Sequence, residues 1–115
     1  MKERRRFIRA RYPCRIIVHA PQKHIISTHT ENISAGGIRV LIQEELKVSS
    51  IVGLEIYLRE QPIACQGRVV WVVEKKSDYQ RDFIFFDTGI EFYEIKDEDK
   101  HAINTFVESL FFGGR

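Results

Sequence analysis

The sequence predicts a mainly β protein: a six-stranded antiparallel β-barrel with a flexible arginine-rich N-terminal arm and a C-terminal α-helix. Three observations lead to this fold class. The chain has 115 residues, which is enough for one hydrophobic core but not for two. Six segments rich in β-branched residues are separated by short turns, and the C-terminus alone carries a helical stripe of apolar residues. We expect a single domain, with the arm at 1–12 and the barrel and helix at 13–115.

The arm is defined by its charge. Residues 1–11 contain six basic side chains and one glutamate, whereas the rest of the chain has 12 basic and 15 acidic residues. A basic segment on a mildly acidic body is typical of a tethered anion-binding element, and a solvated tail is the alternative. Phe7, Ile8 and Tyr12 favour the first interpretation, because apolar residues between the arginines can hold the arm on a core.

The first half of the barrel follows the arm. Cys14–Ala20 is rich in β-branched residues and is followed by Pro21, which ends a strand. Ile25–Glu31 is the second strand and forms a hairpin with the first across residues 21–24. The alternation at Ile38–Ile42 predicts a third strand with one buried face, and the glycine pair before it predicts a tight turn.

The second half of the barrel is less evenly patterned. Its strands are predicted at Leu54–Leu58, Ile63–Glu74 and Asp82–Phe92. The stretch Gln43–Gly53 is mostly polar and is predicted to be a loop. Gly67 predicts a bulge or a close approach within the long strand, and Asp87–Gly89 predicts a break in the last one. Closing six strands into a barrel would remove exposed strand edges.

The C-terminal segment Asp97–Phe112 is predicted to be the helix. One apolar stripe has i, i+3, i+4 spacing and consists of Ile103, Phe106, Val107, Leu110 and Phe111. Three acidic residues at 97–99 suit the positive end of the helix dipole, and glycines at 113–114 suit its termination. We expect this stripe to pack on the barrel, with a partner or dimer contact as the alternative.

No catalytic or metal-binding constellation is present in the sequence. It has no G-x-S-x-G elbow and no phosphate-loop motif, so we expect a protein that is not an enzyme. Cys14 and Cys65 lie apart within apolar segments and are expected to be buried thiols, and the four histidines are scattered, so we expect neither metal nor cofactor. No apolar run approaches the roughly 20 residues of a membrane span, and no signal-peptide core follows the charged start, so we expect a cytoplasmic protein without membrane contact.

Two motifs stand out. The pattern R-x-x-x-R is matched by Arg5 and Arg9, with Arg4 before it, and the pattern D/N-x-S-x-x-G is matched by Asn32, Ser34 and Gly37. Their order and spacing resemble the PilZ domain family, the bacterial receptor module for cyclic di-GMP (c-di-GMP). Residues 67–71 and 88–92 are similar to two later strands of that family, so the resemblance spans nearly the whole chain.

The chemistry of these residues suits such a ligand. A cyclic dinucleotide offers two phosphate charges and guanine edges with adjacent O6 and N7 acceptors, and the planar arginine fork addresses either one bidentately. An asparagine amide donates and accepts, as does a serine hydroxyl, so both can read polar edges. The alternative role for Asn32 and Ser34 is simple turn capping.

The resemblance implies a role for each matched residue. Arg5 and Arg9 are expected to hold phosphates and guanines, while Asn32 and Ser34 bind a guanine edge. Gly36 and Gly37 complete the binding turn, where Gly37 lets the backbone approach the ligand or takes a positive φ. Arg4, placed just before the first motif, implies an intercalated c-di-GMP dimer, that is, two ligand molecules per site.

The expected mechanism is ligand-coupled ordering. The arginines of the free arm repel one another, and the ligand phosphates would draw the arm against the turn at Asn32–Gly37. Because we expect no room for an output domain, the chain would act as an adaptor that signals to an unidentified effector protein, in motility, secretion or exopolysaccharide control.

Two other functions are compatible with the sequence. One is a PilZ-like adaptor that does not bind nucleotide and acts through protein contacts. The other is an RNA- or single-stranded-DNA-binding barrel in which Arg4, Arg5, Arg6 and Arg9 track phosphates, with a steep dependence on salt. The matched motifs favour the c-di-GMP receptor over both, so nucleic acid is not the expected partner.

Overall fold

A computed structural model describes residues 7–77 and 83–112 of the chain. These residues form six strands and one α-helix: β1 (Arg15–His19), β2 (Ile25–Ser34), β3 (Gly37–Ile42), β4 (Ile51–Tyr57), β5 (Ile63–Lys76), β6 (Ile84–Glu94) and α1 (Asp97–Phe111). A short 3-10 turn at Pro21–Lys23 joins β1 to β2, as the predicted hairpin requires. The prediction of a six-stranded barrel with one C-terminal helix is confirmed.

The sheet closes on itself in the order β1-β2-β3-β6-β5-β4, and every neighbouring pair is antiparallel. Inward-facing side chains alternate with exposed ones along the strands, so the core is a continuous aliphatic cluster. Among its fully buried members are Ile16, Ile33, Val40, Leu54 and Ile56. Helix α1 adds Ile103 and Val107 to this core, and Phe106 packs against it, so this part of the predicted stripe packs on the barrel, whereas Leu110 and Phe111 are exposed.

The chain before β1 is attached to the barrel. Ala10 is buried and pairs antiparallel with Ile33 of β2, and the two residues exchange backbone hydrogen bonds of 2.9 Å in both directions. Tyr12 contacts α1, where its ring meets that of Phe106 edge-on with the centroids 5.1 Å apart. These contacts hold residues 10–12 on the barrel.

Some boundaries predicted from the sequence are wrong. The second strand, predicted to end at Glu31, continues to Ser34, so Asn32 and Ser34 lie in β2 and not in the turn. The predicted loop Gln43–Gly53 ends at residue 50, because β4 begins at Ile51. Ile51 pairs with Arg68 of β5, and Gly53 pairs with both His19 of β1 and Gln66 of β5. These partners are distant in sequence, so local polarity does not reveal them.

The predicted break at Asp87–Gly89 is also wrong, because β6 is continuous through these residues. The irregularity lies in the neighbouring strand, where the β5 register shifts between Val69 and Trp71. The Trp71 ring covers Gly89 so closely that a Cβ on that glycine would lie 2.3 Å from the ring. The close approach predicted at Gly67 is confirmed, since a Cβ there would lie 2.5 Å from the Ile90 side chain. The bulge lies opposite it in β6, where Tyr93 is the extra residue.

Both cysteines are free thiols. Cys14 is buried as predicted, whereas Cys65 is half-buried rather than fully enclosed. Burial raises the pKa of Cys14 to about 11 and that of Cys65 to about 12. Within residues 7–77 and 83–112, no group of His, Cys, Asp or Glu is arranged to hold a metal ion. The helix in these ranges is also too short and too polar to cross a bilayer.

Candidate functional site

The site is organised by the pairing of Ala10 with Ile33. Both side chains point into the core, so alternation turns Arg9, Asn32 and Ser34 to the outside of the barrel together. Arg9 Nε donates to Asn32 Oδ1 (3.0 Å), and Arg9 Nη1 donates to Ser34 Oγ (3.2 Å). One guanidinium therefore joins residues of both sequence motifs.

A bulge in β2 sets the orientation of Asn32. Thr30 pairs with Val40, but Asn32 pairs with Arg39, so Glu31 is an extra residue in the strand. Thr30 remains inside, where its hydroxyl donates to the Tyr12 carbonyl (2.6 Å) and accepts from the Cys14 N–H (3.0 Å). The bulge thus lets Thr30 and Ile33 both face inward while Asn32 faces Arg9.

Ser34 links the site to the β2–β3 turn. Its side chain is almost fully enclosed, at 1% exposure. Its Oγ accepts from the Gly36 N–H (3.0 Å) as well as from Arg9, and lies 3.5 Å from the Gly37 carbonyl as a weak donor. The turn-capping role that the sequence left open is therefore present, and the same hydroxyl also positions Arg9.

The two glycines of the turn leave space for different neighbours. The Phe7 ring lies 3.1 Å from where a Cβ of Gly36 would be, and Lys100 of α1 lies over that ring, 4.9 Å from its centroid. A Cβ on Gly37 would lie 2.3 Å from the Ile90 carbonyl oxygen of β6. Of the two roles that the sequence left open for Gly37, the positive φ is wrong, since no glycine in the described residues has one. Gly37 is instead needed for the close packing of β3 on β6.

The surroundings of the site carry charges of both signs. A cavity of about 460 Å³ lies beside the bulge in β2 and is lined by residues that include Arg11, Arg39 and Glu31. Arg39 forms a bidentate ion pair with Asp87 (2.7 and 2.8 Å), and Lys75 Nζ contacts the same carboxylate at 3.1 Å. The hydrogen bonds from Arg39, and then those from Lys75, lower the pKa of Asp87 despite its burial.

The structure brings together five of the seven predicted site residues: Arg9, Asn32, Ser34, Gly36 and Gly37. Arg4 and Arg5 lie outside the described residues. Sequence reasoning did not identify Ala10 as the anchor of the arm or Phe7 as the cover of the turn. The signal for both was the presence of the apolar residues Phe7, Ala10 and Tyr12 among the arginines.

Comparison with known proteins identifies the family. The family model described as the PilZ domain matches residues 3–109, and the chain belongs to this family. The match includes both sequence motifs and all six strands. No curated protein matches the chain at a significant level.

Solved structures share the fold at low sequence identity. The Bacillus subtilis inhibitor of motility MotI/DgrA superposes with a TM-score of 0.79 at 21% identity, over 99% of this chain and 54% of its own. The PilZ domain of YcgR from Escherichia coli, solved with c-di-GMP, gives 0.75 at 14% identity over 98% and 95%. The MrkH–c-di-GMP complex of K. pneumonia gives 0.77 at 15% identity over 98% and 55%. The chain thus spans about half the length of MotI/DgrA and of MrkH.

Proposed function

We propose that this chain is a non-catalytic receptor for c-di-GMP that binds its ligand between the arm and the β2–β3 turn. The observation that carries the proposal is the position of Arg9, whose guanidinium lies on Asn32 and Ser34. Membership of the PilZ family supports the ligand, as do the c-di-GMP complexes of YcgR and MrkH.

The geometry suits a phosphate or a guanine edge. A guanidinium presents five N–H donors in one plane, so contacts through Nε and Nη1 fix the plane in which Arg9 meets a ligand. Asn32 accepts from Arg9 through its oxygen, and its amide nitrogen retains donor character toward a guanine acceptor. Arg11 lines the adjoining cavity and adds positive charge there, whereas Arg39 is paired with Asp87 and Glu31 lies in the same lining.

Output through a partner is the second part of the proposal. A ligand held between the arm and the turn would cover the surface around Asn32 and change what an effector protein contacts. The ordering of the arm by ligand stays a prediction, because residues 1–6 lie outside the described ranges. The effector would be a protein that distinguishes the ligand-covered surface around Asn32 from the ligand-free one.

The test of the receptor function is isothermal titration of the purified chain with c-di-GMP, with GTP and cyclic di-AMP as controls. We expect a saturable heat of binding with c-di-GMP and none with either control, at low and at moderate salt. Absence of heat with c-di-GMP would overturn the proposal and favour the nucleotide-free adaptor. Equal binding of single-stranded oligonucleotides, lost steeply with salt, would favour the nucleic-acid-binding barrel.

Ligand stoichiometry tests the role of Arg4. An intercalated c-di-GMP dimer gives two molecules per chain in that titration. Replacing Arg4 with leucine removes a guanidinium that can stack on a base, so we expect Arg4→Leu to lower the stoichiometry to one. A value of one in the unmodified chain would contradict the dimer while leaving the receptor function intact.

A further inference from the structure

The bulge in β2 turns two successive side chains to the outside of the barrel. Thr30 and Ile33 are buried, whereas Glu31 is exposed and Asn32 is half-buried. In a regular strand, one of two successive residues would face the core. Bulges often occur next to active sites, where they re-aim a side chain. The bulge thus presents the Glu31 carboxylate at the surface, directly before the residue whose amide contacts Arg9.

Glu31 belongs to the cavity beside the bulge, which we call the bulge cavity. Its lining consists of Arg11, Tyr12, Pro13, Thr30, Glu31 and Arg39. Arg39 is the cross-strand partner of Asn32, and Arg11 follows Arg9 by two residues on the segment that Ala10 anchors. The volume of about 460 Å³ lies within the range of roughly 300–1,000 Å³ that is usual for small-molecule sites. The bulge cavity therefore adjoins the candidate site and has room for a purine base.

The two charged side chains of this lining that matter here are Glu31 and Arg39. Asp87 holds Arg39 through Nε and Nη2, and the Arg39 side chain stays 37% exposed. None of the ion pairs in the described part of the chain includes Glu31. The hydrogen bond to Asp87, and more weakly the negative charge of Glu31, raise the pKa of the Arg39 guanidinium. A carboxylate outside any ion pair therefore lies near a fixed guanidinium in one cavity.

This combination of charges suits a guanine base better than a phosphate. The Glu31 carboxylate would repel a phosphate group, whereas its two oxygens accept hydrogen bonds from N–H donors. Guanine presents two such donors side by side, at N1 and at the 2-amino group, next to the O6 acceptor. Adenine has an acceptor at N1 and no 2-amino group, so the same edge of adenine would place a lone pair against the carboxylate.

We propose that Glu31 is the residue that makes this site specific for guanine. Its carboxylate accepts from N1–H and from the 2-amino group of one guanine in the bulge cavity, and Arg39 donates to O6 of the same base. The inference rests on the proposed function and states which base edge the receptor reads. Arg9 cannot supply this selectivity through phosphate contacts, because every cyclic dinucleotide has the same two phosphates.

Isothermal titration with c-di-GMP and with cyclic di-IMP tests the assignment. The bases of cyclic di-IMP keep N1–H and O6 but lack the 2-amino group, so the two ligands differ only in that donor. We expect the unmodified chain to bind c-di-GMP more tightly than cyclic di-IMP. Glu31→Ala should lower the ratio of the two Kd values by about fivefold or more, mainly through weaker binding of c-di-GMP.

Two further variants control for charge and for folding. Glu45→Ala removes the same charge from an exposed position in the loop between β3 and β4, and it should leave the ratio unchanged. Glu31→Gln keeps the length of the side chain but has one acceptor oxygen in place of two, so it should lower the ratio as well. The thermal midpoint of each variant shows that the barrel stays folded.

A carboxylate that contacts no base would give a change of the opposite sign. Glu31→Ala would then remove a repulsion from the phosphates and lower both Kd values by the same factor, which would overturn the inference. An unchanged ratio in both Glu31 variants would also overturn it, while c-di-GMP binding by the unmodified chain would keep the receptor function intact. Absence of c-di-GMP binding by the unmodified chain would overturn the receptor function, and this inference with it.

Discussion

At the scale of single residues, Ser34 has two tasks. Its hydroxyl accepts from the Gly36 backbone and from Arg9, and both bonds lie in an enclosed position. The sequence presented turn capping and ligand binding as alternatives; the structure shows the capping bond, and the same hydroxyl also accepts from Arg9. A turn held by Ser34 also holds the guanidinium in place.

Ser34→Ala should therefore reduce both stability and binding. It leaves the Gly36 N–H without its acceptor, so we expect the free energy of unfolding to fall by about 1 to 3 kcal/mol in urea titrations. The Kd for c-di-GMP should rise, though less than on removal of Arg9. Ser27→Ala, on an exposed part of the same strand, is the control and should change neither quantity. Unchanged stability in Ser34→Ala would contradict the assigned hydrogen bonds.

Asp87 is the second residue whose role follows from its partners. Its side chain is 6% exposed, and it is held by both Arg39 and Lys75. We expect Asp87→Asn to lower the free energy of unfolding by about 2 kcal/mol at pH 7, because two charge-assisted contacts are weakened. Glu91→Gln changes an exposed ion pair with Arg68 and should have a much smaller effect.

The same carboxylate gives a pH dependence with a definite sign. The pKa of Asp87 is lower in the folded chain than its ordinary value of 3.8. Its stabilising contribution is therefore complete above about pH 4 and is lost as the pH falls through the lowered folded pKa. The difference in stability between the unmodified chain and Asp87→Asn should shrink below pH 4 in unfolding titrations. A difference that grows on acidification would mean that the pKa is raised.

At the scale of elements, the sequence predicts those strands whose signals are local. The alternation in β1, β3 and β5 and the helical stripe of α1 each reflect one buried face, and all are found. The start of β4 at Ile51 was missed because it depends on partners in β1 and β5. The continuity of β6 at Gly89 was missed because a ring from another strand covers that glycine.

The packing of β3 on β6 depends on Gly37. A Cβ there would lie 2.3 Å from a backbone oxygen, which cannot move without shifting β6. We expect Gly37→Ala to lower the thermal midpoint and the free energy of unfolding by about 1 to 3 kcal/mol. Gly53→Ala is the matched control. The Cβ added at position 53 would lie 3.4 Å from His19 Cβ, which is close to an ordinary van der Waals contact. Equal stability of the two variants would show that β3 and β6 are not in close contact at Gly37.

At the scale of the whole molecule, the closed barrel brings two distant motifs to one surface. Arg9 and Ser34 are 25 positions apart and meet because Ala10 pairs with Ile33. The sequence predicted their proximity through the family motifs, but not the bulge at Glu31 or the cover of Phe7 on the turn. Those features depend on long-range packing. The binding roles of Arg4 and Arg5 stay predictions.

The binding site is tested most directly by titrating c-di-GMP into two variants of Arg9 and one control variant. Arg9→Ala should abolish measurable binding while leaving the thermal midpoint nearly unchanged, since Arg9 is exposed and outside the core. Arg9→Lys should bind much more weakly than the unmodified chain, because charge without the planar fork loses the bidentate contact. Lys47→Ala removes one exposed charge in the loop between β3 and β4 and should bind normally. Binding of c-di-GMP by Arg9→Ala with unchanged affinity would contradict the account.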